Sequence, residues 1–330
     1  MPKIVRFHEF GDASVLKFDE LPLPEPKSGE VRIKVKAIGL NRAEVVFREG
    51  RYLERPKELP SLIGYEASGM VDCVAEDVSE FKVNDKVSTI PAFSMAQYGV
   101  YGEYAIVPAR ALSHYPEHLS FEEATSIWMQ YMTAYGALVD IAQIKEGDYV
   151  LISAASSSVG LAAIEICLFH KAIPIATTRT MSKKEELLKA GAYAVVVTDE
   201  QDLATEVNKI TNGKGVNYVF DPVAGKFLKE CAKATAHGGT IFEYGALSNQ
   251  PCLFPLFESL QKGLIVRGYT LFEITSDPNR MTRGKKYVYD RLQEKTFKPI
   301  IDKTFSLSNI QEAHKHMESN TQTGKIVVTI

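Results

Sequence analysis

The sequence predicts an α/β protein: a doubly wound, parallel six-stranded sheet joined to a β-rich domain that is assembled from both ends of the chain. Three features carry that prediction. Six short apolar runs recur at roughly 20- to 25-residue spacing after position 148, with helical patterns between them. The first third of the chain instead alternates apolar and polar residues with period two. After Thr270 the strand–helix rhythm lapses into a polar helix and short strand-like pieces.

The β-rich part begins with Val31, Ile33, Val35 and Ala37 alternating with Arg32, Lys34 and Lys36, the pattern of a strand with one wet face. Asn84-Asp85 and Tyr98-Gly99 mark turns between apolar runs at 87–90 and 104–107, and Pro22, Pro24 and Pro26 punctuate an early loop. The six later runs fall at 149–154, 174–178, 194–197, 216–220, 240–244 and 264–269. Each is mainly apolar, as parallel strands covered on both faces are. Ser182 followed by Glu185 reads as a capping box opening the helix of Leu187 and Leu188. Leu203, Val207 and Ile210 recur at helical spacing, as do Phe227, Leu228 and Cys231. A polar helix about 281–293, a strand at 303–306, a short helix near 310–317 and a last strand at 325–330 read as pieces returning to the first domain. The expected division is 1–126, 127–271 and 272–330.

Composition narrows the function classes. Of 330 residues, 45% are hydrophobic and 24% charged, too apolar for a disordered chain. The net charge of −3 gives no reason to expect a nucleic-acid partner. The longest apolar stretches fall well short of the roughly 18 residues of a membrane span. Met1-Pro2-Lys3-Ile4-Val5-Arg6 lacks the apolar core of a signal peptide. Cys73, Cys167, Cys231 and Cys252 are scattered, with no Cys-x-x-Cys pair. A reduced, soluble, cytoplasmic protein is expected, without a disulfide framework or a cysteine-based zinc module.

The first of the six strands runs into Ala155-Ser156-Ser157-Ser158-Val159-Gly160 and then a helix over 161–170. Small residues at such a turn let backbone N–H groups and the positive helix end reach a pyrophosphate. Of the fingerprint Gly-x-Gly-x-x-Gly only Gly160 remains, Ala155 and Ser157 standing at the first two glycine positions. A tight turn without a ligand would use the same residues, but its place at the first strand of six favours the phosphate site. The second strand ends Ile175-Ala176-Thr177-Thr178-Arg179. A site for NAD normally carries an acidic residue here, and none is present. Arg179 and Lys183, with two threonine hydroxyls, instead suit a doubly charged 2′-phosphate, so the expected cofactor is NADP(H). The competing reading makes both cations solvated surface charges.

Seven short motifs follow one another in the chain: Gly39-Leu40-Asn41-Arg42-Ala43-Glu44, Arg48-Glu49-Gly50-Arg51-Tyr52, Gly64-Tyr65-Glu66-Ala67-Ser68-Gly69, Thr133-Ala134-Tyr135, Ser157-Ser158-Val159-Gly160, Phe220-Asp221-Pro222-Val223 and Gly324-Lys325-Ile326-Val327-Val328. Through them the chain resembles, over essentially its whole length, the medium-chain dehydrogenase/reductase superfamily in its zinc-independent, NADPH:quinone reductase-like branch. The resemblance implies a Rossmann domain and a GroES-like catalytic domain. Zinc-using members place a Cys where this chain has Asn41, a His where it has Tyr65, and a third ligand near Met129. Asn, Tyr and Met are poor zinc ligands, so no metal is expected. The histidines offer no replacement. His314 and His316 fall on a late polar helix, His114 and His118 flank Pro116, and all four are expected at the surface.

The resemblance also implies the site. Asn41, Glu44 and Tyr52 would lie beside the nicotinamide, Asn41 as an amide donor and Tyr52 as a phenol that bonds or stacks on an acceptor; a plain packed aromatic is the alternative for Tyr52. For Glu44 two roles stand open, positioning Asn41 or capping the helix. Thr133 and Leu271 would approach the nicotinamide. Ser156, Ser157, Ser158, Val159 and Gly160 would hold the pyrophosphate, with Thr178, Arg179 and Lys183 at the 2′-phosphate. Tyr244, Gly245 and Ala246 would line the cofactor trough, and Lys325 would lie near the adenosine phosphate. Thr198 departs from the family's aromatic. Arg42 and Arg48 are expected in surface or structural ion pairs rather than in catalysis; Trp128 and Gln130 would wall the substrate cleft, with core packing the alternative and the favoured one for Trp128. Without a Lewis acid, the feasible chemistry is hydride transfer from NADPH to a quinone or related conjugated carbonyl, a small-molecule electron acceptor. Reduction of an enal or enone double bond, or NADPH binding without catalysis, are the alternatives. An apolar edge strand at 264–271 suggests a homodimer.

Overall fold

The computed structural model describes residues 1–330. In chain order the elements begin with β1 (Lys3–Phe7), β2 (Leu16–Glu20), β3 (Glu30–Gly39), α1 (Arg42–Arg48), β4 (Glu66–Val74), β5 (Lys86–Thr89), α2 (Met95–Tyr98), β6 (Tyr104–Pro108), β7 (Leu112–Ser113), α3 (Phe121–Ala124) and α4 (Trp128–Tyr135). The strand–helix layer follows with β8 (Tyr149–Ile152), α5 (Ser158–Phe169), β9 (Ile173–Thr178), α6 (Lys184–Lys189), β10 (Ala194–Val197), α7 (Leu203–Ile210), β11 (Val216–Asp221), α8 (Phe227–Ala234), β12 (Thr235–Glu243), α9 (Leu256–Lys262) and β13 (Ile265–Gly268). The chain closes with α10 (Phe272–Thr275), α11 (Pro278–Gln293), β14 (Ile301–Ser306), α12 (Ile310–Glu318) and β15 (Lys325–Thr329). No helix is long and apolar enough to cross a membrane.

Two compact units result, Met1–Met129 with Pro299–Ile330, and Gln130–Lys298. In the first, a seven-stranded sheet runs β14-β15-β3-β4-β5-β7, with β6 pairing β3, while β1 and β2 form a separate hairpin. Both ends of the chain therefore share one sheet: β15 lies antiparallel beside β3, Val327 facing Gly39. Val5, Phe7, Ile33, Val35, Val71, Val87 and Val107 fill the interior. Arg32, expected on a wet face, is buried, because Asp72 and the carbonyl of Pro24 satisfy its guanidinium.

The second unit is a six-stranded parallel sheet in the order β10-β9-β8-β11-β12-β13. This is the doubly wound arrangement, whose order reverses between β8 and β11. All six apolar runs are strands. Leu151, Ile175, Val196, Val219 and Ile241 of the sheet pack with Leu203, Val207, Leu228 and Cys231 of α7 and α8. The proposed capping box does not form: Ser182 bonds the Thr180 hydroxyl, and α6 starts two residues later at Lys184. Helix α11 stays with this unit rather than leaving at 272, because Tyr287 rests on Tyr135 and Phe169 and Arg280 pairs with Asp140.

Candidate functional site

In the second unit the sequence-expected phosphate turn joins β8 to α5. Ala154 takes a left-handed conformation (φ 46°), and Ser157 is the extended cap of α5, its Oγ accepting from the Gly160 amide at 3.1 Å. Gly160 is required by close approach. A Cβ there would stand 2.6 Å from both Cα and O of Ala155, so only glycine lets the helix come this near the turn. Lys183 donates to Ser156 Oγ at 3.2 Å, placing a cation over the same turn. Arg179, just past β9, is exposed, while Thr178 is buried with its hydroxyl donated to the Thr180 carbonyl at 3.3 Å. The donor set fits an anion: backbone amides at a helix start, two cations and no carboxylate at the end of β9.

Sequence reasoning missed a group at the ends of the neighbouring strands. Asp221 closes β11, where it accepts from Ser153 Oγ and from the amides of Val223 and Ala224 at 3.0 and 2.8 Å. Its register partner on β12 is Glu243. Burial, then the Asp221 charge, pushes the Glu243 carboxyl up to about 9, and burial raises Asp221 as well. A lone acid closing the otherwise apolar run 240–243 was the available signal. Tyr244 stacks on Phe220 with ring centroids 4.0 Å apart, while Gly245 and Ala246 lie exposed beyond it. Thr133 and Leu271 are buried.

In the first unit, Asn41, Glu44, Glu66 and Lys325 form one buried polar cluster. Asn41 is the extended N-cap of α1, and Glu44, three residues on, accepts from its backbone N–H. Glu44 Oε1 also accepts from Asn41 Nδ2 and from the Tyr65 amide, both at 3.2 Å. Both roles left open for Glu44 are therefore filled: it caps the helix and holds the Asn41 amide. Burial lifts its carboxyl to about 7, against the pull of the Lys325 charge and of these donors. Lys325 is only 1% exposed. Its Nζ donates to Asn41 Oδ1 at 2.6 Å and forms an ion pair with Glu66. Both of these partners lie within the first unit.

Tyr52 is half-buried, its ring set against Phe47 and Tyr65 at 6.3 and 6.4 Å. Burial raises its hydroxyl to about 12, although a bond with the Tyr65 hydroxyl pulls the other way. Tyr65 itself is fully buried and raised by burial. Arg48 is buried in the expected ion pair, with Glu318, whereas Arg42 donates to the Met317 carbonyl at 2.7 Å and to Asn320 Oδ1 at 2.6 Å. Trp128 is core, its indole N–H on Ser88 at 2.8 Å, and Gln130 is buried. His314 corrects the surface expectation. It is 0% exposed, with Tyr101 Oη 3.2 Å from Nε2 and Arg48 Nε 3.5 Å from Nδ1. The helix carries a buried stripe of Ile310, Ala313, His314 and Met317, and burial, then the charges of Arg48 and Arg42, lowers the imidazole to about 3.

Two family models match the chain, a zinc-binding dehydrogenase over residues 190–328 and an alcohol dehydrogenase GroES-like domain over 27–117. Human quinone oxidoreductase is 29% identical over 330 residues, 99% of this chain and 98% of that protein. The structure of Escherichia coli quinone oxidoreductase complexed with NADPH matches with a TM-score of 0.90 at 27% identity, over 99% of this chain and 100% of that one. An NAD-dependent alcohol dehydrogenase structure matches with a TM-score of 0.91 at 30% identity over 99% of both chains. The chain belongs to the medium-chain dehydrogenase/reductase superfamily, in its quinone oxidoreductase-like branch. For a member of this superfamily the metal question is decided by the donors. No three His, Cys, Asp or Glu side chains come together as metal ligands. Asn41 and Tyr65 are joined through Glu44, and the Met129 amide donates to Glu66 at 2.8 Å. Of the three positions where zinc ligands would be sought, Asn41 bonds the Lys325 ammonium, Met129 reaches it only through Glu66 and Tyr65 is tied to Glu44, and a zinc ion does not fit this donor set.

Proposed function

We propose that this quinone oxidoreductase-like dehydrogenase is an NADPH-dependent reductase of quinones or related conjugated carbonyls that works without a metal. The observation that carries the reading is the end of β9: an exposed Arg179, Lys183 bonded to Ser156 of the phosphate turn, and no carboxylate for a ribose 2′-hydroxyl. Ser156, Ser157, Ser158, Val159 and Gly160 would hold the pyrophosphate at the start of α5, with Thr178, Arg179 and Lys183 toward the 2′-phosphate. Thr133, Tyr244, Gly245, Ala246 and Leu271 would line the rest of the coenzyme's path. When bound, the reduced nicotinamide supplies the hydride, and solvent supplies the balancing proton.

The chain's own part is orientation and hydrogen bonding. With its hydroxyl raised to about 12, Tyr52 stays protonated at neutral pH and donates to the acceptor oxygen that gains charge. Asn41, gripped at both ends of its amide, contributes a fixed polar edge. Glu44 keeps that edge in place.

The exposed edge strand β13, with Ile265 55% exposed, supports pairing of two copies across a two-fold axis. The experiment is NADPH oxidation against a panel of quinones, enals and enones before and after dialysis with EDTA. Quinone turnover that survives dialysis and exceeds that with NADH is expected. Preference for enones would move the assignment to double-bond reduction. Tight NADPH binding without turnover on any acceptor would refute the enzyme reading.

A further inference from the structure

A buried ammonium is unfavourable unless its protons meet acceptors and its charge meets an opposite one. Lys325 meets both by an unusual route. It starts on β15 and ends on Glu66 of β4, with β3 between them. Neighbouring strands lie about 4.8 Å apart, so the side chain must pass over the intervening backbone. It passes at Gly39, the register partner of both Val327 and Glu66. A Cβ at Gly39 would stand 2.8 Å from Lys325 Cε and 2.2 Å from the Thr125 carbonyl oxygen. The missing side chain is the track along which the lysine stem runs, and the Thr125 backbone closes that track from above.

At the end of the track the ammonium holds Asn41 Oδ1 at 2.6 Å and Glu66, whose other oxygen takes the Met129 amide. The Asn41 Nδ2 group is turned the opposite way, to Glu44 Oε1 at 3.2 Å and the Gly39 carbonyl at 3.3 Å. A donor on the amide oxygen and acceptors on its nitrogen admit one orientation only. The flipped amide would set NH₂ against the ammonium and oxygen against a carboxylate.

We propose that Lys325 is the resident cation of this site: a positioning residue whose tethered ammonium, laid across Gly39, neutralises Glu66 and locks the orientation of the Asn41 amide. Its catalytic consequence rests on the reading of Asn41 as an edge of the acceptor site; the cation slot itself does not.

The test uses the full chain with three variants and propylammonium, which matches the atoms lost in Lys325→Ala. Lys325→Ala is expected to melt lower without cofactor, and propylammonium chloride, but not potassium chloride, is expected to restore part of that loss. Its kcat on an accepted quinone should fall about 10- to 100-fold, the scale of a misplaced reacting group, and recover with propylammonium while NADPH affinity stays unchanged. The double variant Lys325→Met/Glu66→Gln removes both charges. It should fold, stay slow and ignore propylammonium. Glu66→Gln alone, with the ammonium still on Asn41, should keep more of kcat than either. A loss of NADPH affinity that matches the loss of rate would make Lys325 a cofactor contact and overturn the proposal. So would a folded Lys325→Ala that propylammonium leaves unchanged, or a double variant with wild-type kcat. Should no acceptor be reduced, the functional reading fails, while the effect of propylammonium on melting still decides the slot.

Discussion

Gly160→Ala tests the phosphate turn most directly. The added methyl would stand 2.6 Å from Cα and O of Ala155 and 2.8 Å from its carbonyl carbon, all backbone atoms of a buried residue. No rotamer change relieves that contact, so α5 must move away from the turn by something near 1 Å to reach the roughly 3.5–4.0 Å of ordinary carbon contact. Overpacking of this kind costs about 1–3 kcal/mol. For a unit of this size each kcal/mol lowers the melting temperature by roughly 2–4 °C, so a fall of about 2–12 °C is expected. The same movement draws the first amides of α5 off the phosphate, and NADPH affinity should fall as well. Gly147→Ala is the control. Its φ of +85° strains any side chain, yet nothing lies within 4 Å of the new methyl, so it should lose stability without losing NADPH affinity. Calorimetry and fluorescence titration with NADPH read both quantities. If Gly160→Ala melts and binds like the parent, or if both variants lose affinity alike, the close-approach argument is wrong.

Arg179→Asp should weaken NADPH and spare NADH. Because Arg179 is exposed, the effect is held to about 1–2 kcal/mol, roughly 5- to 30-fold in Kd by titration. His314 has its folded pKa depressed to about 3, so the unfolded chain binds the extra proton between pH 6.5 and 3. Its contribution is complete above 6.5 and is lost as pH falls, by about 1.4 kcal/mol per unit. Glu44 and Glu243, raised to about 7 and about 9, act in the opposite sense. The signature is therefore a difference: between pH 7 and 5 the parent should lose more urea stability than His314→Gln. Ile265→Lys on β13 should yield a monomer in sedimentation if two copies pair at that edge.

The six-stranded layer was legible because each strand is a short, mainly apolar run and helical patterns lie between them, signals that need no knowledge of neighbours. The phosphate turn was legible for a similar reason: Ala155, Ser156 and Ser157 are small whatever surrounds them. Helix α6 was not. Its capping signal at Ser182 and Glu185 is a local preference, and the Ser182 hydroxyl bonds Thr180 instead. His314 was misplaced because the polarity of 310–318 hides a one-sided stripe, and a histidine neutral in the core reads in one dimension like a charged one at the surface.

Local order along the chain was enough to specify strand and helix, the coenzyme-binding layer and the want of thiolate or imidazole ligands at Asn41 and Tyr65. What Lys325 does was beyond its reach, since that depends on residues 259 and 284 positions away meeting over one glycine. Pairing of Asp221 with Glu243 likewise arises from strand register rather than from neighbours in sequence. Burial is the physical reason for the difference: a charge acquires its partner, and its proton, from whatever folding packs against it.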